Sequence, residues 1–283
     1  MLGAIIGDIV GSIYEFDNIR TKNFSLFSPN CFFTDDTVMT IAIYKALKKS
    51  KIFKYKHLQE QTIKQMQKYG KLYPNMSYGT FFKHWLNTKN PTPYNSYGNG
   101  SAMRVSPVAY FAKSIDEVKY LSYQVSVISH NHEEGLKGAE ATAISIWLAL
   151  NKYSKEQIKN YIQENYYSLD FDYEDLVKNY RFNETCQNTV PQAIYCFLIS
   201  ESFEDCLRTS ISIGGDSDTL CAISCAIAEA YYGIPEDIKF RALQYLDKKI
   251  LSDYKEFNKF KGVNYDFNSK WRNNAKNAKS RKI

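Results

Sequence analysis

An all-α fold is what this sequence of 283 residues predicts. Apolar residues recur at spacings of three and four, as in Ala139, Ala143, Ile146 and Leu150, or Leu220, Ile223, Ile227 and Ala230. That is the period of amphipathic helices. Alternating apolar and polar runs long enough for a sheet are missing. Helix-start chemistry recurs too: in Ser154-x-x-Gln157 the two side chains can satisfy the first free N–H groups reciprocally.

In chain order, a helix at about 2–14 is marked by apolar residues around Gly3, Gly7 and Gly11, which fall on one face. The next, 36–49, opens on Thr34-Asp35-Asp36 and carries the apolar run Val38 to Leu47. Periodicity alone places helices at 55–69 and 78–87. The 101–112 helix follows Gly98-Asn99-Gly100, and 115–128 precedes Ser129-His130-Asn131-His132, where 134–151 begins. Helices at 154–164, 186–200 and 202–212 lead to Ile213-Gly214-Gly215-Asp216-Ser217-Asp218-Thr219, which opens 218–232. Helices at 235–250 and 252–260 complete the pattern. Two longer connections remain: 88–100, with Pro91 and Pro93, and 165–185, where a lid, a surface excursion and a short helix are all open. No composition shift marks a boundary, so one domain is expected over 1–263, followed by a basic tail over 264–283.

The chain can bury a sizeable core, and 44% hydrophobic with 15% aromatic residues excludes disorder. The net charge of +6 is local. Lys270, Arg272, Lys276, Lys279, Arg281 and Lys282 crowd the last residues, and without them the body is neutral. No nucleic-acid-binding motif is present, so nucleic acid is not an expected partner. The six cysteines form no C-x-x-C pair, and Cys221 and Cys225 fit core packing, which argues against zinc. The N-terminal MLGAIIGDIVG lacks a basic start and meets Asp8 too early for a signal peptide. No apolar run approaches the ~20 residues that span a bilayer. A cytoplasmic monomer without membrane contact is the expectation.

Asp35, Asp36, Asp216 and Asp218, with Thr34 and Thr219, offer only oxygen ligands, which select Mg²⁺, Ca²⁺ or Mn²⁺. Gathered in one place, four carboxylates would repel unless cations lay between them; two divalent ions would neutralise them. Each motif also serves as a simple helix N-cap, so either reading holds for one motif alone. The Gly3/Gly7/Gly11 stripe admits a close helix or ligand, while Asp8 and Glu15 stand out as acids in an apolar segment. Glu15, at the end of that helix, could serve as acid or base. Gly98-Asn99-Gly100 suits a left-handed turn, either as an anion cradle or as a plain turn. His130 and His132 fit metal ligands, substrate contacts or hydrogen-bonded structural residues alike.

The ordered set GAIIGDIVGSIYEF at 3–16, FTDDTVMT at 33–40, YGNGSAMRV at 97–105, SHNHEEGLKGAEATA at 129–143 and GGDSDTLCAI at 214–223 resembles the ADP-ribosylglycohydrolase family. The resemblance implies a compact, orthogonal multi-helix domain around a binuclear metal cleft holding two Mg²⁺ (Mn²⁺ in some members). It implies Thr34, Asp35, Asp36, Asp216, Asp218 and Thr219 as metal ligands, and Glu15, with Asp36 adjacent, as the proton-handling pair. Gly98, Asn99, Gly100 and Ser101 would line the diphosphate and ribose path with Met103 behind; His130 and, more loosely, Gly79 would contact ADP-ribose. Ser101, Ser129 and Ser217 replace Gly or Ala, Thr and Thr of the commoner pattern, each keeping a small side chain or a hydroxyl. The implied activity is hydrolysis at ribosyl C1″, releasing ADP-ribose from modified protein side chains or small conjugates, with O-linked and N-linked substrates both open. Two other readings fit the same acids: a two-metal phosphoesterase and a non-catalytic ADP-ribose-binding protein.

Overall fold

A computed structural model describes residues 1–52 and 54–260; the expected basic tail at 264–283 lies outside the described residues. The chain divides into two units, Met1–Leu246 and a second that begins at Asp247. The first unit holds α1 (Leu2–Gly11), α2 (Asp35–Lys51), α3 (Leu58–Leu72), α4 (Thr80–Asn87), α5 (Gly100–Met103), α6 (Val108–Phe111) and α7 (Ile115–Ser126). It continues with α8 (Glu133–Leu150), α9 (Lys155–Asn165), α10 (Tyr173–Asn179), α11 (Val190–Ile199), α12 (Phe203–Ser212), α13 (Ser217–Tyr232) and α14 (Glu236–Leu243). In the second unit a helix runs over 248–260. Among the described residues the only β pairing is an isolated bridge between Gly98 and Thr185, so the fold is all-α.

Short polar residues start many of these helices, as their sequence positions predict. Ser114 accepts from the Glu117 amide at α7, Ser202 from Asp205 at α12, and Ser154 with Gln157 closes a full capping box at α9. Asp172 does the same for α10, so the 165–185 stretch contains a short helix.

Three expected helices are interrupted, and each interruption has a local cause. The 101–112 stretch splits into α5 and α6 because Pro107 has no N–H to give the Met103 carbonyl; the Thr40 hydroxyl donates to that carbonyl instead, at 3.4 Å. The 186–200 stretch begins as a 3₁₀ turn over Cys186–Asn188 and becomes α-helical only at Val190, with Pro191 in the first turn. The 235–250 helix ends at Leu243, and the chain restarts at 248 where the Asp247 carboxylate accepts from the Ile250 amide.

At the centre of the first unit lies α13, buried from Ser217 to Ala230 and packed against α1, α8, α11 and α12. Its closest neighbour is α1, and the glycine stripe explains why. A Cβ on Gly3 would stand 2.0 Å from the Cys225 carbonyl oxygen, on Gly7 2.2 Å from that of Cys221, and on Gly11 2.6 Å from the Asp218 Cα. The stripe therefore serves helix packing. As α1 advances, its contacts on α13 recede, so the end of α1 meets the start of α13. No helix among the described residues is long and apolar enough to cross a membrane.

Candidate active site

The antiparallel α1–α13 pair delivers the first acids. Past Gly11 the chain turns, and Glu15 comes beside Asp216 and Asp218, one carboxylate oxygen of each lying within 4.8 Å of the others. The turn before α13 needs its glycines: Gly214 (φ 70°) and Gly215 (φ 80°) are left-handed, and the Arg20 guanidinium and Tyr180 ring occupy the space where side chains would go. Asn18 pairs with both backbone groups of Gly215, accepting from its N–H at 2.8 Å and donating to its carbonyl at 2.9 Å. Arg20 ties this turn to α10 by donating to the Val177 and Ile213 carbonyls.

The other acids come from α2. Thr34 caps this helix, accepting from the Asp36 amide at 3.3 Å and donating to Asp218 at 3.4 Å. Asp8, on α1, accepts from the amides of Thr34 (2.9 Å) and Thr37 (3.1 Å) and from the Thr37 hydroxyl. Its carboxylate is thus engaged in fixing the start of α2. Thr219 donates to Asp36 Oδ2 at 3.3 Å, but Asp36 Oδ1 is buried with no hydrogen-bond partner.

Crowding raises the carboxyls. Burial, then the neighbouring Asp218, pushes Asp8 and Asp35 up to about 7 and Glu15 up to about 8; the same causes raise Asp36 and Asp216. An all-oxygen set with an orphaned buried carboxylate oxygen fits hard divalent cations.

Glu15, Asp35, Asp36, Asp216, Asp218 and Thr219 form one wall of a cavity of about 520 Å³, a volume suited to a small ligand, while Asp8 and Thr34 lie behind it. The opposite wall comes from the 94–104 segment and His130. Asn99 donates to Asp216 at 2.7 Å, joining the walls. The expected left-handed turn at 98–100 is absent: Asn99 is right-handed (φ −67°), and neither Gly98 nor Gly100 has positive φ. A Cβ on Gly100 would touch His130 Nε2 at 3.4 Å, an ordinary contact, so glycine there leaves the ring nitrogen open to the cavity. The Asn99 amide donates to the Glu184 carbonyl at 2.7 Å, an internal bond that makes the turn unlike an open anion cradle.

Of the residues expected to meet a substrate, Gly79, Gly98, Asn99, Gly100, Met103 and His130 all line this cavity. Ser101 does not; it is fully buried, and its hydroxyl donates to the Gly135 carbonyl at 2.6 Å. His132 caps α8, its Nδ1 accepting from the Glu134 amide.

Sequence reasoning passed over Arg104. Its guanidinium is buried, stacks over Phe82 at 5.2 Å and donates to Ser129 Oγ at 2.8 Å. Burial lowers it to about 10, which leaves it a cation at neutral pH. Ser129 Oγ lies 2.9 Å and Arg104 3.4 Å from His130 Nδ1. An Arg can only donate, so Nδ1 accepts and the ring proton sits on Nε2, facing Gly100. Burial and the Arg104 charge hold His130 well below its usual pKa, hence neutral. The available signal was one cation inside an otherwise apolar stretch, Ala102-Met103-Arg104-Val105. The aromatics Phe16, Phe182 and Tyr94 and the acid Glu184 also line the cavity and had no motif to reveal them.

The chain is 28% identical to mouse (Mus musculus) ADP-ribosylhydrolase ARH3 over 312 residues, covering 83% of each protein. It is 23% identical to ADP-ribosylarginine hydrolase Tri1 of Pseudomonas putida (strain GB-1), covering 83% of this chain and 70% of that one. A solved structure titled "ADP-ribosylglycohydrolase-related protein complex" shares the fold, with a TM-score of 0.65 at 20% identity over 89% of this chain and 93% of that chain. The family model described as ADP-ribosylglycohydrolase matches residues 1–262, and the chain is accordingly a hydrolase belonging to the ADP-ribosylglycohydrolase family.

Proposed function

We propose that this chain hydrolyses the bond between ribosyl C1″ and an attached side chain or small molecule, releasing ADP-ribose, with two Mg²⁺ (or Mn²⁺) held by Thr34, Asp35, Asp36, Asp216, Asp218 and Thr219. The observation that carries this reading is Asp36 Oδ1, a buried carboxylate oxygen without a donor in a cluster of acids whose charges oppose one another. When bound, the ions would neutralise this wall, orient the ribose hydroxyls and acidify a water.

The residues divide the remaining work. Breaking the C1″ bond passes through an oxocarbenium-like state. The leaving oxygen or nitrogen must gain a proton, while water supplies the new C1″–O bond and loses one. Glu15, next to Asp216 and Asp218 on the cavity wall, is placed to manage that proton, with Asp36 adjacent. Asn99 holds Asp216 and faces the cavity, and His130 presents Nε2–H beside Gly100, a donor suited to ribose or phosphate oxygens. Gly79, Gly98, Gly100 and Met103 shape the path along which the diphosphate and adenosine would lie.

The test is product analysis by mass spectrometry on Ser-, Arg- and acetyl-linked ADP-ribose conjugates, with Mg²⁺ and with EDTA. Free ADP-ribose released only with the metal is the expected result, and the conjugate consumed fixes the linkage. Release of AMP or phosphate would make the protein a phosphoesterase; binding without turnover in saturating Mg²⁺ would make it an ADP-ribose-binding protein.

A further inference from the structure

A second cavity, of about 970 Å³, lies between α2, α3 and the segment after α4. Its charged lining is almost entirely basic: Lys49 from α2, Lys64, Lys68 and Lys71 from α3, and Lys89 from the following segment. The α3 lysines fall at i, i+4 and i+7, on one helix face, where like charges repel. The acid in this lining, Glu60, is largely exposed and lies 3.8 Å from the His57 ring, so five ammonium groups face one carboxylate. Burial and the charges of Lys68, Lys64 and Lys45 lower the Lys49 ammonium, an electrostatic cost that a bound anion would relieve.

Gln65 supplies an independent observation. It lines the same cavity and is 2% exposed, yet its Nε2 has no hydrogen-bond partner. A buried amide donor left unsatisfied costs about 1–3 kcal/mol, a cost that a turn of the Gln65 side chain toward an anion in the groove would remove.

We propose that this groove binds the di- or polyphosphate group of an anionic ligand, with Lys64, Lys68 and Lys71 along one side, Lys49 and Lys89 on the other, and the Gln65 amide turning outward to donate once the anion is bound. Phosphate suits the set because its many oxygens can take a donor from each of several flexible ammonium groups. The groove ends close to the active-site cavity along the chain: Lys89 to Thr92 line the groove, and Tyr94 and Ser96 line the cavity. The phosphates can therefore belong to a free ligand or to the distal part of a substrate.

Calorimetry on the full chain with sodium tripolyphosphate in EDTA tests the site, since without divalent ions the acidic cavity repels phosphate. One-to-one binding is expected, weakened about tenfold in Lys64→Gln/Lys68→Gln/Lys71→Gln and about threefold in Gln65→Leu. Gln65→Leu should keep or raise Tm, because it removes an unsatisfied buried donor. Unchanged affinity in either variant overturns the proposal, leaving a diffuse basic surface; so does equal binding of a poly-glutamate of matched charge, which points to an acidic protein partner. A second arm compares kcat/KM for conjugates carrying one and two ADP-ribose units. A loss in the triple variant confined to the longer conjugate assigns the phosphates to substrate, and unchanged rates with tripolyphosphate still bound assign them to a free ligand.

Discussion

The two walls of the active-site cavity are built to opposite standards. On the His130 wall, an Arg104–Ser129–His130 chain fixes the tautomer, and a cation is stacked on Phe82. On the acidic wall, Glu15, Asp35, Asp36 and Asp216, all with raised pKa values, crowd around Asp218, and an oxygen of Asp36 finds no donor. The contrast teaches where a group from outside would fit. One wall has its cation stacked and bonded by protein groups, with Arg104 Nε alone left buried without a partner; the other gathers like charges around an orphaned carboxylate oxygen, an arrangement suited to a cation.

The strongest way to break this comparison is Asp36→Asn. If the acidic wall exists for cations, turnover should fall by about a thousandfold or more. The stabilisation expected from Mg²⁺ in the unmodified protein, about 2.7 kcal/mol at a hundredfold excess over Kd and read as a rise in Tm, should shrink as well. In EDTA the variant should be no less stable than the parent, because a buried like charge has gone. A variant that keeps its Mg²⁺-dependent Tm shift would show that Asp36 serves only the start of α2.

Glu15→Gln comes next. Turnover should drop about a hundredfold while the Kd for ADP-ribose changes little. Equal losses in rate and binding would make Glu15 a structural residue, and calorimetry beside product release separates the two outcomes.

Asn99→Ala cuts the bond between the walls. Losing the 2.7 Å contact to Asp216 leaves that carboxylate with less support, worth about 1.5–3 kcal/mol for a hydrogen bond to a charged group. The expected readout is weaker Mg²⁺ binding, seen as a higher metal concentration for half-maximal rate. An unchanged metal requirement would mean the acidic wall stands without help from its neighbour.

How legible each wall was follows from the range of the interactions that build it. The acids were readable because Thr34-Asp35-Asp36 and Asp216-Ser217-Asp218 each gather carboxylates and a hydroxyl at a helix start. The helices themselves follow from periodicity and local caps, and Ser154 with Gln157 behaves as its spacing predicts. What stayed hidden depends on partners distant in sequence. Arg20 reaches Ile213, Asn18 reaches Gly215 and Asn99 reaches Asp216. Ser101 misled because a small hydroxyl beside a glycine loop suits ligand contact and core packing equally; only the fold reveals that it faces Gly135. Pro107 and Pro191 did announce the helix breaks, yet the apolar period across them hid the interruption.

The smallest expected effect is the sharpest test of the His130 wall, because its sign is opposite to that of the acids. Asp35, raised to about 7 from an ordinary value of 3.8, favours folding below that ordinary value and loses its contribution as pH climbs through 7. His130 is held below its ordinary 6.5, so the unfolded chain takes up a proton there that the folded chain refuses. Its contribution is complete above 6.5 and is lost as pH falls, by at most about 1.4 kcal/mol per pH unit. Glutamine has no proton to gain, and its amide can still accept from Arg104 and donate toward Gly100. Urea unfolding of the parent and His130→Gln, both in EDTA, should therefore give a difference that is flat above 6.5 and moves against the parent below it. The acidic wall cancels in that difference because both proteins carry it. A difference that stays flat down to pH 5 would mean that the folded protein protonates His130 as readily as the unfolded chain does, and the fixed Nε2–H donor facing the cavity would have to be abandoned.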